Sequence, residues 1–271
     1  MTINSQTIYI FTAITFALFM LLESLAPRRD AGGELGARWA NNFGLAALAW
    51  YANAVAGTWL VVWLAGMPEL QDLALLPPEV AQQPLVGFGL LLLVSEFLGY
   101  CAHVGFHKIR CLWPVHAVHH ADTGFDVSTS YRHHPVEPLI LLPLVVPVVV
   151  LLGVTPLAAA LYRLFAVAIT VFSHANVRLP EGLDRVLRWF VLTPDYHRIH
   201  HCSDPHYTNS NYGTMLPWFD YLFGTARSRP YAEQAQMELG LEYWRAAKDM
   251  RLDRQLLMPL RGIAAVRRPA P

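Results

Sequence analysis

Twelve histidines stand in this 271-residue chain, all between His103 and His206, and their spacing matters more than their number. His103 and His107 are four apart, and His116, His119 and His120 form an HxxHH run that returns as His197, His200 and His201. His133 and His134 are adjacent, and His174 is isolated in SHANV. Residues three and four apart share one face of a helix, so each HxxHH run presents three imidazoles within about a turn. Neutral imidazole suits iron, zinc, copper and nickel. A structural zinc takes four ligands and a catalytic zinc three plus water, so about ten positioned imidazoles exceed one metal and match two. Two adjacent redox-active metals with open positions can bind and reduce O2, whereas two zinc ions cannot supply electrons. Iron is therefore the expected metal, although the chain lacks the ExxH pairs of carboxylate-bridged sites.

Other uses of histidine account for less of the pattern. A lone buried histidine is ordinarily a hydrogen-bonded core residue, which suits His206 and His133. Paired axial ligands for haem explain two or four histidines but not two HxxHH runs. A histidine-lined metal or proton transporter places such residues near the middle of the bilayer. Here they gather towards one face.

The elements that carry the histidines set which face they reach. The chain is 54% hydrophobic and only 15% charged, against roughly 25% charged in soluble domains. A membrane-spanning helix needs about 20 apolar residues. Ile8–Leu25, Phe43–Gly66 and Leu85–Gly105 meet that requirement. The first has no basic leader or small-residue cleavage site, so it reads as a retained span. Leu139–Gly153 and the run ending near Ser173 form either a tight transmembrane pair or a re-entrant hairpin. Arg28, Arg29 and Arg38 lie in the 26–42 loop, whereas the 67–84 loop holds Glu69, Asp72 and Glu79 and no basic residue. The positive-inside rule then puts the N-terminus outside and the 26–42 loop in the cytoplasm. His103 and His107, His174 and the segment after Arg178 converge on that cytoplasmic face. Glu96, Tyr100, His103 and His107 share a face of the third span. A carboxylate within a span needs a partner, and the expected one for Glu96 is a ring nitrogen of His103 or a neighbouring ligand.

These motifs together resemble the fatty acid hydroxylase/sterol desaturase superfamily. WPVHAVHH is similar to its aromatic-x-x-HxxHH segment, RHHPVE to R-x-HP-x-E, and TPDYHRIHH to TPxxHxxHH. NYG at Asn211–Gly213 and FDYLFGT at Phe219–Thr225 resemble its closing motifs. The resemblance runs from about Leu85 to Thr225. It implies an all-α integral membrane fold of four to five transmembrane or re-entrant helices, with a cytoplasmic helical cap holding a histidine-rich di-metal site. By the same resemblance His103, His107, His116, His119, His120, His174, His197, His200 and His201 are ligands of two iron ions. A second HxxxH found in some members is incomplete here, because Arg178 stands four after His174. Either His134 supplies the remaining ligand or Asn176 acts through water. Glu96, Tyr100 and Asn176 are expected to support the ligands.

The implied activity is O2-dependent hydroxylation of a lipid or sterol-like substrate taken from the bilayer. Desaturation and alkylglycerol-type ether cleavage are the alternatives within that chemistry, and metal transport the alternative outside it. The chain shows no GxGxxG or CxxC signature, and Cys101, Cys111 and Cys202 form neither a disulfide framework nor a zinc ribbon. Electrons are thus expected from a separate donor of reductase, ferredoxin or cytochrome b5 type, unless a pterin-type reductant serves. Zero net charge gives no reason to expect nucleic acid. Three parts are expected: an N-terminal transmembrane hairpin and outer loop (1–84), the catalytic domain (85–225) and a cytoplasmic tail (226–271). The aromatic residues Trp218, Phe219, Tyr221 and Phe223 fit either an interfacial belt or plain packing of a terminal helix.

Overall fold

The computed structural model describes residues 5–30, 35–65 and 74–261. Gly66, Glu69 and Asp72 of the expected second span and outer loop, and the last ten residues, lie outside them. The described residues are all helical apart from loops and two isolated β-bridges, Pro27 with Val177 and Cys202 with Leu239. The long helices are α1 (Ser5–Leu25) and α2 (Leu35–Ala65), then after the one-turn α3 (Pro78–Ala81) the helix α4 (Pro84–Lys108). The short α5 (Trp113–His120) precedes the pair α6 (Val136–Leu152) and α7 (Pro156–His174). Short helices follow: α8 (Glu181–Leu187), α9 (Pro194–His200), α10 (Pro205–Thr208), α11 (Trp218–Phe223) and α12 (Leu252–Leu256).

Among the described residues α1, α4 and α7 are long and apolar enough to cross a membrane, and α6 is a shorter apolar helix. Proline at the first turn starts α4 and α7, where the missing N–H is not needed, and the Thr155 hydroxyl caps α7 at Ala158 N. α6 ends at Gly153, whose φ of 58° is readily reached only without a side chain. The α6–α7 turn lies at the start of α4: Leu75 N donates to Leu151 O, and Gly87 packs against Val154 and Ala158. The pair therefore runs the length of α4 and returns, and α7 brings His174 back to the end where α4 carries His103 and His107.

The short helices cap that end. Arg28 N donates to Asn176 O and Arg178 N to Ala26 O, tying the end of α1 to the end of α7. Val118, Ala121, Leu45, Leu241 and Met258 form one core cluster beneath α5, and Phe125, Ile199, Cys202, Met237 and Leu239 another beneath α9. Residues 237–258, expected as a surface tail, thus contribute to both clusters. Gly240 N also donates to His201 O, so this segment closes over the histidines.

Candidate metal centre

α4 presents His103 and His107 one turn apart at its end, α5 carries the first HxxHH run, α9 and the residue that caps it carry the second, and α7 terminates in His174. Nine histidines come together as two groups, each with its ligand nitrogens within 4.8 Å of one another. The first group is His103, His107, His116, His120 and His200; the second is His119, His174, His197 and His201. The two abut, with the His120 ring 4.5 Å from those of both His200 and His201. The sorting is crossed. In each HxxHH run the outer pair, His116 with His120 or His197 with His201, serves one group, and the middle histidine, His119 or His200, reaches into the other. The i and i+4 side chains lie above one another on a helix, while i+3 is rotated to the flank. Two short helices set side by side can therefore exchange their flanking imidazoles.

Outer hydrogen bonds decide which nitrogen faces inward. His103 Nδ1 is 2.7 Å from Tyr212 O, His200 Nδ1 2.6 Å from Ser210 O, His119 Nδ1 3.2 Å from Arg132 O and His174 Nδ1 2.8 Å from Thr170 O. A carbonyl only accepts, so each Nδ1 carries the proton and each Nε2 lone pair turns into its group. His116 is fixed by a carboxylate: Glu137 Oε1 accepts from His116 Nδ1 and from His133 Nδ1, each at 3.0 Å. The His133 ring in turn stacks on His119 at 4.4 Å. Glu137 stands in the RHHPVE motif, and its spacing gives no sign that it reaches back to His116.

The remaining supporting residues differ from expectation. Glu96 meets no histidine. Its carboxylate accepts from the Thr214 hydroxyl, from Met215 N at 2.9 Å and from Leu216 N at 2.7 Å. It pins the loop whose Tyr212 carbonyl orients His103, and so acts one step removed. Tyr100 donates to or accepts from Thr225 Oγ1 at 3.1 Å and stacks on Phe223. Asn176 is spent on the 26–30 segment, accepting from Arg29 N and donating to Arg29 O. His134 stands outside both groups, with Val136 N donating to its Nδ1 and Leu256 O 3.2 Å from its Nε2. The NYG and FDYLFGT motifs shape the same loop. Asp220 accepts from Tyr212 N and Gly213 N, Asn211 takes φ 54°, and a Cβ on Gly213 would lie 2.4 Å from Leu216 O.

Burial favours neutral rings, the form that binds metals. It holds His119, His120, His197 and His201 well below the ordinary imidazole range, reinforced by neighbouring imidazoles, and brings His200 to about 3. Inside the groups the nitrogens meet one another: His103 and His116 Nε2 are 3.0 Å apart, as are His197 and His174 Nε2. Both nitrogens of His107 and Nε2 of His200 are buried with no protein partner. Lone pairs turned on a common point repel, and a cation satisfies all of them at once. The donor set thus fits two imidazole-ligated metal ions. Replacement of the carboxylate tests the support: Glu137→Gln should weaken metal retention at the first group by about 10- to 100-fold in competition with a chelator. Unchanged retention would mean that Glu137 serves His133 alone.

A family model described as fatty acid hydroxylase matches residues 88–225. Ornithine lipid hydroxylase OlsE of Rhizobium tropici is 34% identical over 141 residues, 51% of this chain and 41% of that protein. Alkylglycerol monooxygenase of Xenopus tropicalis is 27% identical over 131 residues, 48% of this chain and 28% of its own. Very-long-chain aldehyde decarbonylase GL1-1 of Oryza sativa subsp. indica is 29% identical over 157 residues, 55% of this chain and 25% of its own. The matched stretches therefore span between a quarter and about two fifths of these relatives' length. No solved structure matches the chain.

Proposed function

We propose that this chain, which belongs to the fatty acid hydroxylase family, is a membrane oxygenase that holds two iron ions and hydroxylates a C–H bond of a lipid with O2. The observation that carries the reading is the convergence of nine buried histidines into two abutting groups with their lone pairs turned inward. Five imidazoles would hold one ion and four the other. Bound there, the iron pair would supply reductive activation of O2 for oxidation of an unactivated C–H bond.

The protein's own part is orientation and exclusion. The carbonyls of Tyr212, Ser210, Arg132 and Thr170 and the Glu137 carboxylate keep five rings in one tautomer. Phe125, with its ring 5.6 Å from His174 and 5.1 Å from His201, and Trp113, 4.9 Å from His107, flank the two groups with apolar surface. Three apolar helices long enough to cross a membrane support a substrate that enters from the bilayer. The names of two relatives, a lipid hydroxylase and an alkylglycerol monooxygenase, support a lipid. The distribution of arginines supports a centre on the cytoplasmic face, where a separate ferredoxin, cytochrome b5 or reductase donor would reach it.

Purified from iron-replete cells, the protein should carry about two iron ions per chain and convert members of a lipid panel to alcohols when given O2 and a reductant. An alkene, or an aldehyde with glycerol, would move the reading to desaturation or ether cleavage. Absence of iron together with absence of O2-dependent product would end it.

A further inference from the structure

We infer that α8 with the turn after it, and α11 with the loop before it, lie sunk in one leaflet of the bilayer beside α4. The inference concerns this shoulder of the fold alone and stands whether or not the histidine groups bind iron.

α8 is amphipathic the wrong way round for water. Leu183, Val186, Trp189 and Phe190 on and just after it are 47%, 57%, 59% and 60% exposed. Its Asp184, by contrast, is 2% exposed and faces the protein, where it pairs with Arg188 and accepts from the Thr193 hydroxyl. A helix on a soluble protein puts its apolar stripe inward. α11 repeats the inversion: Leu222 and Phe223 are 70% and 53% exposed while Asp220 is fully buried. Contiguous apolar surface of this kind marks an interaction face.

The depth of the shoulder identifies what it faces. Phe219 and Phe223 pack on Phe97 of α4, with ring centroids 5.3 and 6.4 Å apart. Phe97 lies six residues before His103 and ten before His107 on the candidate span, or about 9 to 15 Å along the axis from the histidines. α11 therefore sits alongside the hydrocarbon-facing part of α4, and its exposed side chains continue that face. Irregular backbone at such depth must be satisfied by protein. Glu96 does this, accepting from Met215 N, Leu216 N and the Thr214 hydroxyl, which gives the carboxylate within the span a role beyond the metal centre. At the rim Trp218 Nε1 donates to Trp189 O and Tyr221 OH to Arg188 O, and Glu181, Arg185 and Arg178 stay exposed at the edge where headgroups would lie. Tryptophan, tyrosine and arginine gathered together are the composition of a membrane interface.

The test uses the full chain in vesicles of phosphatidylcholine and phosphatidylglycerol. A nitroxide is placed at Leu222→Cys after Cys101→Ser and Cys111→Ser, with Leu93→Cys on α4 and Arg185→Cys as references. The Leu222 label should collide with O2 several-fold more than with a water-soluble nickel chelate, matching Leu93 and opposing Arg185. Preference for the chelate would place the shoulder in water, and protection from both would place a second copy or another protein against it; either overturns the inference. Should the labelled chain misfold, native emission decides. Brominated acyl chains should quench less of it in Trp189→Phe/Trp218→Phe than in the unaltered protein, and equal quenching would overturn the inference as well.

Discussion

His200→Ala should abolish turnover and lower the iron content from about two ions towards one per chain. The expectation follows from where this ring goes. His200 sits on α9 between two ligands of the second group, yet its Nε2 turns towards His103, His107, His116 and His120. Its removal takes a ligand from the first group and leaves His119, His174, His197 and His201 in place. His119→Ala should do the converse, depleting the second group although it stands on α5 among ligands of the first. Metal analysis of both variants, alongside product formation, measures this directly. Full activity of His200→Ala would refute its assignment as a ligand, and loss of both ions in both variants would refute the division into two groups.

Glu96→Ala should destabilise the fold by about 3 kcal/mol or more, because three hydrogen bonds to a charged group are lost at roughly 1.5–3 kcal/mol each and are not fully additive. The donors left behind, Met215 N and Leu216 N, are themselves buried. Glu96→Gln can keep its one amide oxygen on Met215 N and Leu216 N and turn its amide N–H groups towards the Thr214 hydroxyl, losing only the charge, so it should lie between alanine and the native residue. Thermal unfolding in lipid or detergent reads the effect. A carboxylate that worked by gripping a ligand histidine would behave otherwise, with iron retention falling while unfolding stayed put. Such a result would contradict the loop-pinning role.

These two residues also mark where sequence reading succeeds and stops. The histidine runs were legible because three- and four-residue spacing on a helix fixes a shared face, and eight of the nine clustered rings lie in such runs. The crossing of His119 and His200 was not, since it arises from how α5 and α9 lie together rather than from either helix. Glu96 announced a need for a partner, but backbone N–H groups 119 and 120 residues away carry no side-chain signature. The carbonyls of Ser210 and Tyr212 are silent for the same reason, although Asn211, Gly213 and Asp220, which shape their loop, stand in recognisable motifs. His134 shows the opposite limit. Adjacency to His133 made it a candidate, and only its contact with the Leu256 carbonyl shows where its ring is used.

The crossed sorting has a consequence for the order in which the protein matures. Neither group can be completed by α5 or α9 alone, and the first HxxHH run leaves the ribosome some eighty residues before the second. A nascent chain ending before Pro194 offers only His119 and His174 to the second group, and lacks His200 for the first. Full occupation of both groups would in this arrangement be a closing event, complete only once α9 has come to lie against α5 and the chain has been read through to its last ligands.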